Sequence, residues 1–332
     1  MRRMLAEWEK QRALLLSFPH PQSDWADDLE RALSPFVKIA LGVAYNQKVI
    51  IVCDNQAKIS DMFCSTHNLE FVELPTNDTW IRDYGAISIE EGGTTKLLDF
   101  DFNAWGGKFA YHLDNQVNAH LHIKGYFGDT LLESIDFTLE GGSIESDGEG
   151  TILTTTECLC NPNRNGGLGK AQVESKLKEY LGARRVLWLN HGFLAGDDTD
   201  SHIDTLARFV AKDTIMYVEC NDLHDEHYEA LLAMKTQLQS FTQTNGEPYT
   251  LIPLPMTSPK YNQEGKRLPA TYANFFIANH ALLYPTYQDA NDKKVGEIFK
   301  AFFPDKEIIG IDCMRLIEQG GSLHCSTMQV AL

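Results

Sequence analysis

The chain has 332 residues, 43% of them hydrophobic and 23% charged, and its 46 acidic against 29 basic side chains leave a formal net charge of −17. This is a globular composition, long enough to bury a sizeable core in one large domain or two. It argues against a nucleic-acid surface, which needs a basic patch to meet phosphates, while tolerating a cationic ligand in a cleft as readily as it serves plain solubility.

The first stretch, MRRMLAEWEKQRALLLSFPHP, has a basic start and a short apolar run. Glu7, Lys10, Gln11 and Arg12 interrupt it and no small-residue cleavage site follows, so a secretory signal is not expected. No run approaches the roughly eighteen apolar residues of a membrane span. A cytoplasmic location is the expectation, with no membrane contact.

Strands are predicted at 48–53 (KVIIVC), 150–160 (GTILTTTECLC), 185–189, 214–220, 249–254, 279–285 and 307–312, each rich in β-branched residues and flanked by turn formers. Helix-like stretches lie between them at 24–45, 169–181, 225–241 and 291–303. Helix and strand alternate, which makes the class α/β. No glycine fingerprint follows the strand at 48–53, so nucleotide binding is disfavoured and no cofactor is expected. Strand–strand–helix blocks recur roughly every 60 residues, which would allow a diverged propeller-like array. No Pro/Gly/Ser linker divides the chain.

The seven cysteines (53, 64, 158, 160, 220, 313 and 325) contain no C-x-x-C, which excludes a zinc ribbon or thioredoxin motif. Cys158 and Cys160 are expected to share one strand face in the core. Cys325 stands apart in GGSLHCST, 320–327, behind two glycines and a histidine. A buried terminal strand is expected there, delivering the thiol, with Gly320-Gly321 as a hinge that clears space. Neighbours on a strand point oppositely, so His324 is not expected to be the base for Cys325.

Four other stretches combine charge with glycine or aromatic residues: NDTWIRDYGA (77–86), FNAWGG (102–107), LEGGSIESDGEGT (139–151) and GDDTDSHIDTLARF (196–209). In an extended segment Asp198, Asp200, His202 and Asp204 would share a face, which is costly unless they meet a ligand, a metal or water. Aspartate and histidine also ligate metals, and His120-Leu-His122 is a second candidate pair. No H-E-x-x-H or facial-triad spacing appears, so no metal is expected and His120 and His122 read as surface residues. Arg82–Asp83 could be a salt-bridged turn, and Glu140 a structural carboxylate before two glycines. Taken together with a cysteine, they describe a coherent demand. His202 can shuttle a proton, while Asp83, Asp204 and Glu140 would repel anions and raise a thiol's pKa. A planar guanidinium offsets such an array, since its N–H fork matches carboxylates two at a time.

At these residues the sequence resembles the agmatine deiminase and bacterial-type peptidylarginine deiminase family of guanidino-modifying enzymes. WIRDYG, LEGGSIESDGEGTILTTTECLCNPNRN, DTDSHIDTLARF, YANFFIANHALLYP and GGSLHCSTMQ occur in the family's order and cover residues 8–330. The resemblance implies a five-bladed α/β propeller, the pentein fold, as a single domain over 1–332. It implies Cys325 as the nucleophile of a covalent thiouronium-type intermediate, and His202 as general acid and base. Asp83 and Asp204 would grip the guanidinium and Glu140 would orient or charge His202. Asp198 and Trp80 would line the far end of the site, with Trp105 and Asn274 as further candidates. The implied reaction is hydrolysis of agmatine to N-carbamoylputrescine and ammonia, a step of putrescine biosynthesis.

Two departures loosen the substrate's tail more than its head: Tyr84-Gly85-Ala86 follows Arg-Asp where the family has Gly-Pro, and Ser322-Leu323 replaces Gly-Asn-Ile. Free arginine or peptidyl-arginine is an alternative substrate. Amidino transfer is an alternative reaction, and a silent cation-binding protein an alternative role. The expected partner is a small cationic guanidino compound; a homo-oligomer is left open.

Overall fold

The strand Met328–Ala331 pairs antiparallel with Gln11–Ser17, Met328 opposite Leu15 and Val330 opposite Ala13, in a computed structural model that describes residues 2–332. The tail is therefore stitched to the head of the chain. Gln11–Ser17 pairs parallel with Lys48–Cys53, and that strand with Leu69–Glu73. Leu14, Leu15 and Leu16, like Val49 to Val52, are buried without a break, the pattern of strands covered on both faces. One cover is the helix Leu29–Ala44, which buries Ala32, Leu33, Phe36, Ile39, Ala40 and Val43 at helical spacing.

This pairing scheme recurs in all five sheets among the described residues. Each has an antiparallel pair followed by a parallel neighbour reached through a helical crossover. Ile87–Glu91 pairs with Thr94–Asp101 and then Leu131–Thr138; Ile144–Ser146 pairs with Thr151–Thr155 and then Arg185–Leu189. Ala207–Ala211, Thr214–Glu219 and Thr250–Pro255 form the next, and Phe276–Ile277, Ala281–Thr286 and Glu307–Asp312 the fourth. The fifth is closed by the C-terminal strand. The predicted helices form as Leu29–Ala44, Lys170–Leu181, Tyr228–Ser240 and Asp292–Phe302. None is long and apolar enough to cross a membrane.

Three local expectations are corrected. The strand at 150–160 ends at Thr155, whose hydroxyl caps a one-turn helix Thr156–Leu159 by accepting the Cys158 N–H. Cys158 is consequently buried and Cys160 only half-buried, not two residues of one strand face. The segment around 198–204 is not extended either. Asp200 and Ser201 have φ of 65° and 64°, and a 3-10 turn spans Ile203–Thr205, so alternate residues do not share a face. Cys325 sits on a 3-10 turn, His324–Ser326, ahead of the last strand rather than on it. His120 and His122 lie on the helix Val117–Ile123, both partly exposed at the surface, with His120 Nδ1 2.8 Å from the Gln116 carbonyl.

Candidate active site

In each sheet the residue at issue sits just ahead of the first strand of the antiparallel pair. Asp83 precedes Ile87–Glu91, Glu140 precedes Ile144–Ser146, Asp204 precedes Ala207–Ala211, Asn274 precedes Phe276–Ile277, and Cys325 precedes Met328–Ala331. Four of these lie on or beside one-turn helices, Ile81–Tyr84, Gly141–Ser143, Ile203–Thr205 and His324–Ser326. The turn at Ile81–Tyr84 packs against those at Gly141–Ser143 and His324–Ser326, and Gly141–Ser143 against Ile203–Thr205. Five separate parts of the chain thus deliver side chains to one place.

Gly142 marks that place. A Cβ there would lie 2.7 Å from His202 Nδ1, 2.8 Å from Asp83 Oδ1 and 3.1 Å from Asp204 Oδ2. Only glycine leaves those atoms room to converge. Its N–H donates to Asp83 Oδ1 at 2.9 Å, and Trp105 Nε1 donates to Asp83 Oδ2 at 2.9 Å. Burial, then the charge of Glu140, pushes the Asp83 carboxyl up to about 7 despite these donors. Arg82 turns the other way, to Glu7 at 3.3 Å and Gln329 at 2.8 Å. The Arg82–Asp83 salt-bridged turn is not formed.

Cys325 is 6% exposed. Its Sγ lies 3.4 Å from Asn274 Nδ2 and 3.9 Å from Asp204 Oδ2. Asn274 also accepts the N–H of His324 at 2.8 Å and of Cys325 at 3.3 Å, which fixes the turn carrying the thiol. Burial, then Asp204 and Asp83, raises the thiol well above its ordinary range.

His202 is fully buried, and neither ring nitrogen has a hydrogen-bond partner in the protein. Unpaired buried groups of this kind cost about 1–3 kcal/mol each, so they are kept for a use. Burial, reinforced by the nearby Arg164 cation, holds the imidazole well below its ordinary pKa, hence neutral. Donor atoms of Glu140, Cys158 and His202 all lie within 4.8 Å of one another. Glu140 Oε1 accepts Arg164 Nε at 2.7 Å, while Oε2 is unpaired. Three donors this close could enclose a metal ion. The guanidinium on Glu140 already places a cation in that shell, and the trio fits acid–base work better. Glu140 thus neighbours His202 without a direct hydrogen bond to it.

The cleft above Cys325 encloses about 780 Å³, its open mouth included, and is lined by Trp80, Asp83, Trp105, Asp198 and Gly320-Gly321. Gly321 abuts the Trp80 ring, where a Cβ would collide with it, and Trp80 packs on Trp25 at 5.7 Å between ring centroids. Gly320 has φ of 84°, and a Cβ on it would sit 3.1 Å from Asp198 Oδ1. The glycine pair therefore forms a wall that both Trp80 and Asp198 approach. Ala104 and Trp105 hold φ of 51° and 55°, a strained conformation for residues with a Cβ, and it sets the indole over Asp83. Asp200 does not line the cleft; it accepts from Arg164 and Lys108.

Beneath the site runs a buried ionic network. His324 bridges Asp204 Oδ2 and Glu7 Oε2, at 2.7 and 2.6 Å. Glu7 meets Arg82 at 3.3 Å and Arg208 at 3.1 Å, and Arg208 also pairs with Glu145. Glu7, Arg164 and His324 were not picked out from sequence. Glu7 lies in the stretch read for a leader, Arg164 inside NPNRN, and His324 was set aside on strand geometry that the turn at 324–326 does not have.

A family model described as Porphyromonas-type peptidyl-arginine deiminase matches residues 3–331. An agmatine deiminase of Medicago truncatula is 31% identical over 361 aligned positions, covering 98% of this chain and 95% of the relative. A cysteine-to-serine variant of C. jejuni agmatine deiminase with substrate bound is 44% identical, with a TM-score of 0.94 over 100% of this chain and 97% of that one. A Porphyromonas gingivalis protein provisionally named an arginine deiminase is 47% identical, with a TM-score of 0.95 over 100% and 98%. A dimethylarginine dimethylaminohydrolase, 13% identical with a TM-score of 0.53 over 96% and 99%, is alike in fold alone.

Proposed function

The chain belongs to the Porphyromonas-type peptidyl-arginine deiminase family, and from that premise we propose that it hydrolyses agmatine to N-carbamoylputrescine and ammonia. The observation that carries this reading is the convergence of Asp83, Asp204 and His202 on Gly142, with the Cys325 thiol 3.9 Å from Asp204. Two carboxylates beside a buried thiol suit a planar cation with its carbon held over sulfur.

The chemistry then follows from the groups present. Docking of the guanidinium brings a positive charge against the burial and the acidic surroundings that keep Cys325 protonated. Sulfur attacks the guanidinium carbon as its proton passes to neutral His202. The imidazolium returns that proton to the departing amine, which leaves as ammonia, and a thiouronium remains on Cys325. His202, neutral again, takes a proton from water as its oxygen adds to the carbon. The C–S bond breaks as the C=O forms, giving a ureido product, the thiol and a proton that makes ammonium of the ammonia. Glu140, held by Arg164, supplies negative charge beside His202 while it is protonated.

Asp198 and Trp80 at the outer part of the cleft, with Asp24 and Asp78 also on its lining, suit the terminal amine of agmatine. Lys266 lines the same mouth, which gives a second reading some weight: a substrate carrying a carboxylate, such as arginine. Ammonia and ureido product measured with agmatine, free arginine and an arginine peptide separate them. No turnover of agmatine overturns the assignment.

The same reading takes the chain as one domain over 1–332, its five sheets set as blades around the funnel, acting in the cytoplasm without a metal or cofactor. Putrescine formation is the process it would serve. The five-fold repetition of one pairing scheme and the closing strand Met328–Ala331 support that arrangement.

A further inference from the structure

His324 makes two contacts that together fix a proton count. Nδ1 is 2.7 Å from Asp204 Oδ2 and Nε2 is 2.6 Å from Glu7 Oε2. A neutral imidazole carries one N–H, and an ionised carboxylate only accepts. Two oxygens of ionised carboxylates cannot both be held this close by one hydrogen. The bridge must contain one proton more than a neutral imidazole between two carboxylates.

That proton does not belong to Glu7. Its Oε2 faces Arg82 at 3.3 Å and Arg208 at 3.1 Å, and its Oε1 accepts the Ile277 N–H at 2.8 Å. Burial alone would raise this carboxyl, but Arg208, His324 and Arg82 outweigh it and hold Glu7 ionised. The proton lies on the line between His324 Nδ1 and Asp204 Oδ2. Asp204 faces Asp83, a like charge, and Cys325 Sγ, with Arg82, Arg208 and Glu145 around it; burial and then Asp83 favour its neutral form. His324 is likewise fully buried, and the cations Arg82 and Arg208 oppose a charge on it while Glu7 favours one.

We propose that the Glu7–His324–Asp204 bridge is a proton store under the site: the proton sits on Asp204 Oδ2 in the free protein and moves to His324 Nδ1 when a guanidinium docks. The carboxyl becomes a carboxylate and the imidazole an imidazolium flanked by Glu7 and Asp204. Nothing is released to solvent. Asp204 can then be neutral beside Asp83 in the empty cleft and charged when a cation arrives. His324 and Glu7 are positioning residues, acting through Asp204. The inference rests on the guanidino reading of the site but not on agmatine in particular.

The test is calorimetric titration of Cys325→Ser protein with agmatine at pH 7, in buffers of different ionisation enthalpy, with and without His324→Gln. Glutamine spans the same gap but takes no proton. The double variant is expected to release about one more proton per ligand bound, with affinity falling up to about tenfold per pH unit on acidification relative to Cys325→Ser alone. Equal proton counts in the two proteins would overturn the store. Where His324→Gln does not fold, 15N-histidine labelling of Cys325→Ser decides: one histidine gains a second N–H on ligand binding, and no such change contradicts the proposal. Should agmatine not bind, that failure falls on the proposed substrate. The same counts are then taken with guanidinium ion, which any guanidino site accepts.

Discussion

Trp105 Nε1 donates to Asp83 Oδ2 at 2.9 Å, so the indole that lines the cleft also holds a carboxylate in place. This donor favours the ionised form of Asp83, whose carboxyl burial has already pushed up to about 7. Trp105→Phe removes it. The Asp83 pKa rises further, and since gripping a guanidinium needs the carboxylate, activity is lost as pH falls through the raised value. The acid limb of kcat/KM should move to higher pH, with a loss of about 10- to 100-fold at pH 7, the worth of a charge-assisted hydrogen bond. An unmoved acid limb would contradict this role.

Gly142→Ala inserts a methyl group among His202, Asp83 and Asp204. The φ of Gly142 is not among the positive ones, so alanine is tolerated by the backbone and the damage falls on the site. Thermal stability should drop modestly, by the ~1–3 kcal/mol of overpacking. Turnover should fall by more than about 100-fold, since a shift of about an ångström in reacting groups costs that much. Turnover near wild type would mean that the three side chains do not act at this point.

Asp198→Asn tests the outer end of the cleft. The neutral amide should raise KM for agmatine about tenfold with kcat nearly unchanged, and leave an alkylguanidine lacking the amine almost unaffected, as expected for loss of one partly exposed charge contact. Equal effects on both compounds would remove Asp198 from tail recognition.

A fourth expectation concerns stability alone. Asp114 accepts the Asn77 N–H at 2.7 Å and the Asp78 N–H at 3.3 Å through Oδ1, while its buried Oδ2 is unpaired. Burial pushes this carboxyl up to about 8. Below the pKa of the unfolded chain both states hold the proton and the group costs nothing. As pH rises toward 8 the unfolded state ionises first and is favoured. Asp114→Asn keeps the Oδ1 acceptor without that penalty, so its stability advantage over wild type should grow between about pH 4 and 8, to the order of 2–4 kcal/mol. Melting temperatures across that range check it, and a gap independent of pH would be the wrong answer.

Much of this molecule is legible in its sequence because its strands are short apolar runs ending in turn formers. Glu307–Asp312 and Lys48–Cys53 form with the predicted bounds. Cys325, Asp83, Asp204 and His202 stand out because charge beside glycine is expensive in an apolar context. What period-two reasoning could not see is that each site residue sits on a turn or loop just ahead of its strand. That is why Asp200 faces Arg164 while Asp204 faces the site, and why His324 lies on a turn between Asp204 and Glu7 rather than on a strand face. Glu7 was invisible for another reason: its partners Arg82, Arg208 and His324 are 75 or more residues away in sequence, and only the closure of the ends brings them together.

The central claim is that Cys325 bonds to the guanidino carbon. The most direct measurement is peptide mass after acid quench during agmatine turnover, paired with the activity of Cys325→Ala. An amidino adduct is expected on the Cys325 peptide, with no ammonia release by Cys325→Ala. Turnover by Cys325→Ala at the wild-type rate, with no adduct on Cys325 in the wild-type protein, would contradict it.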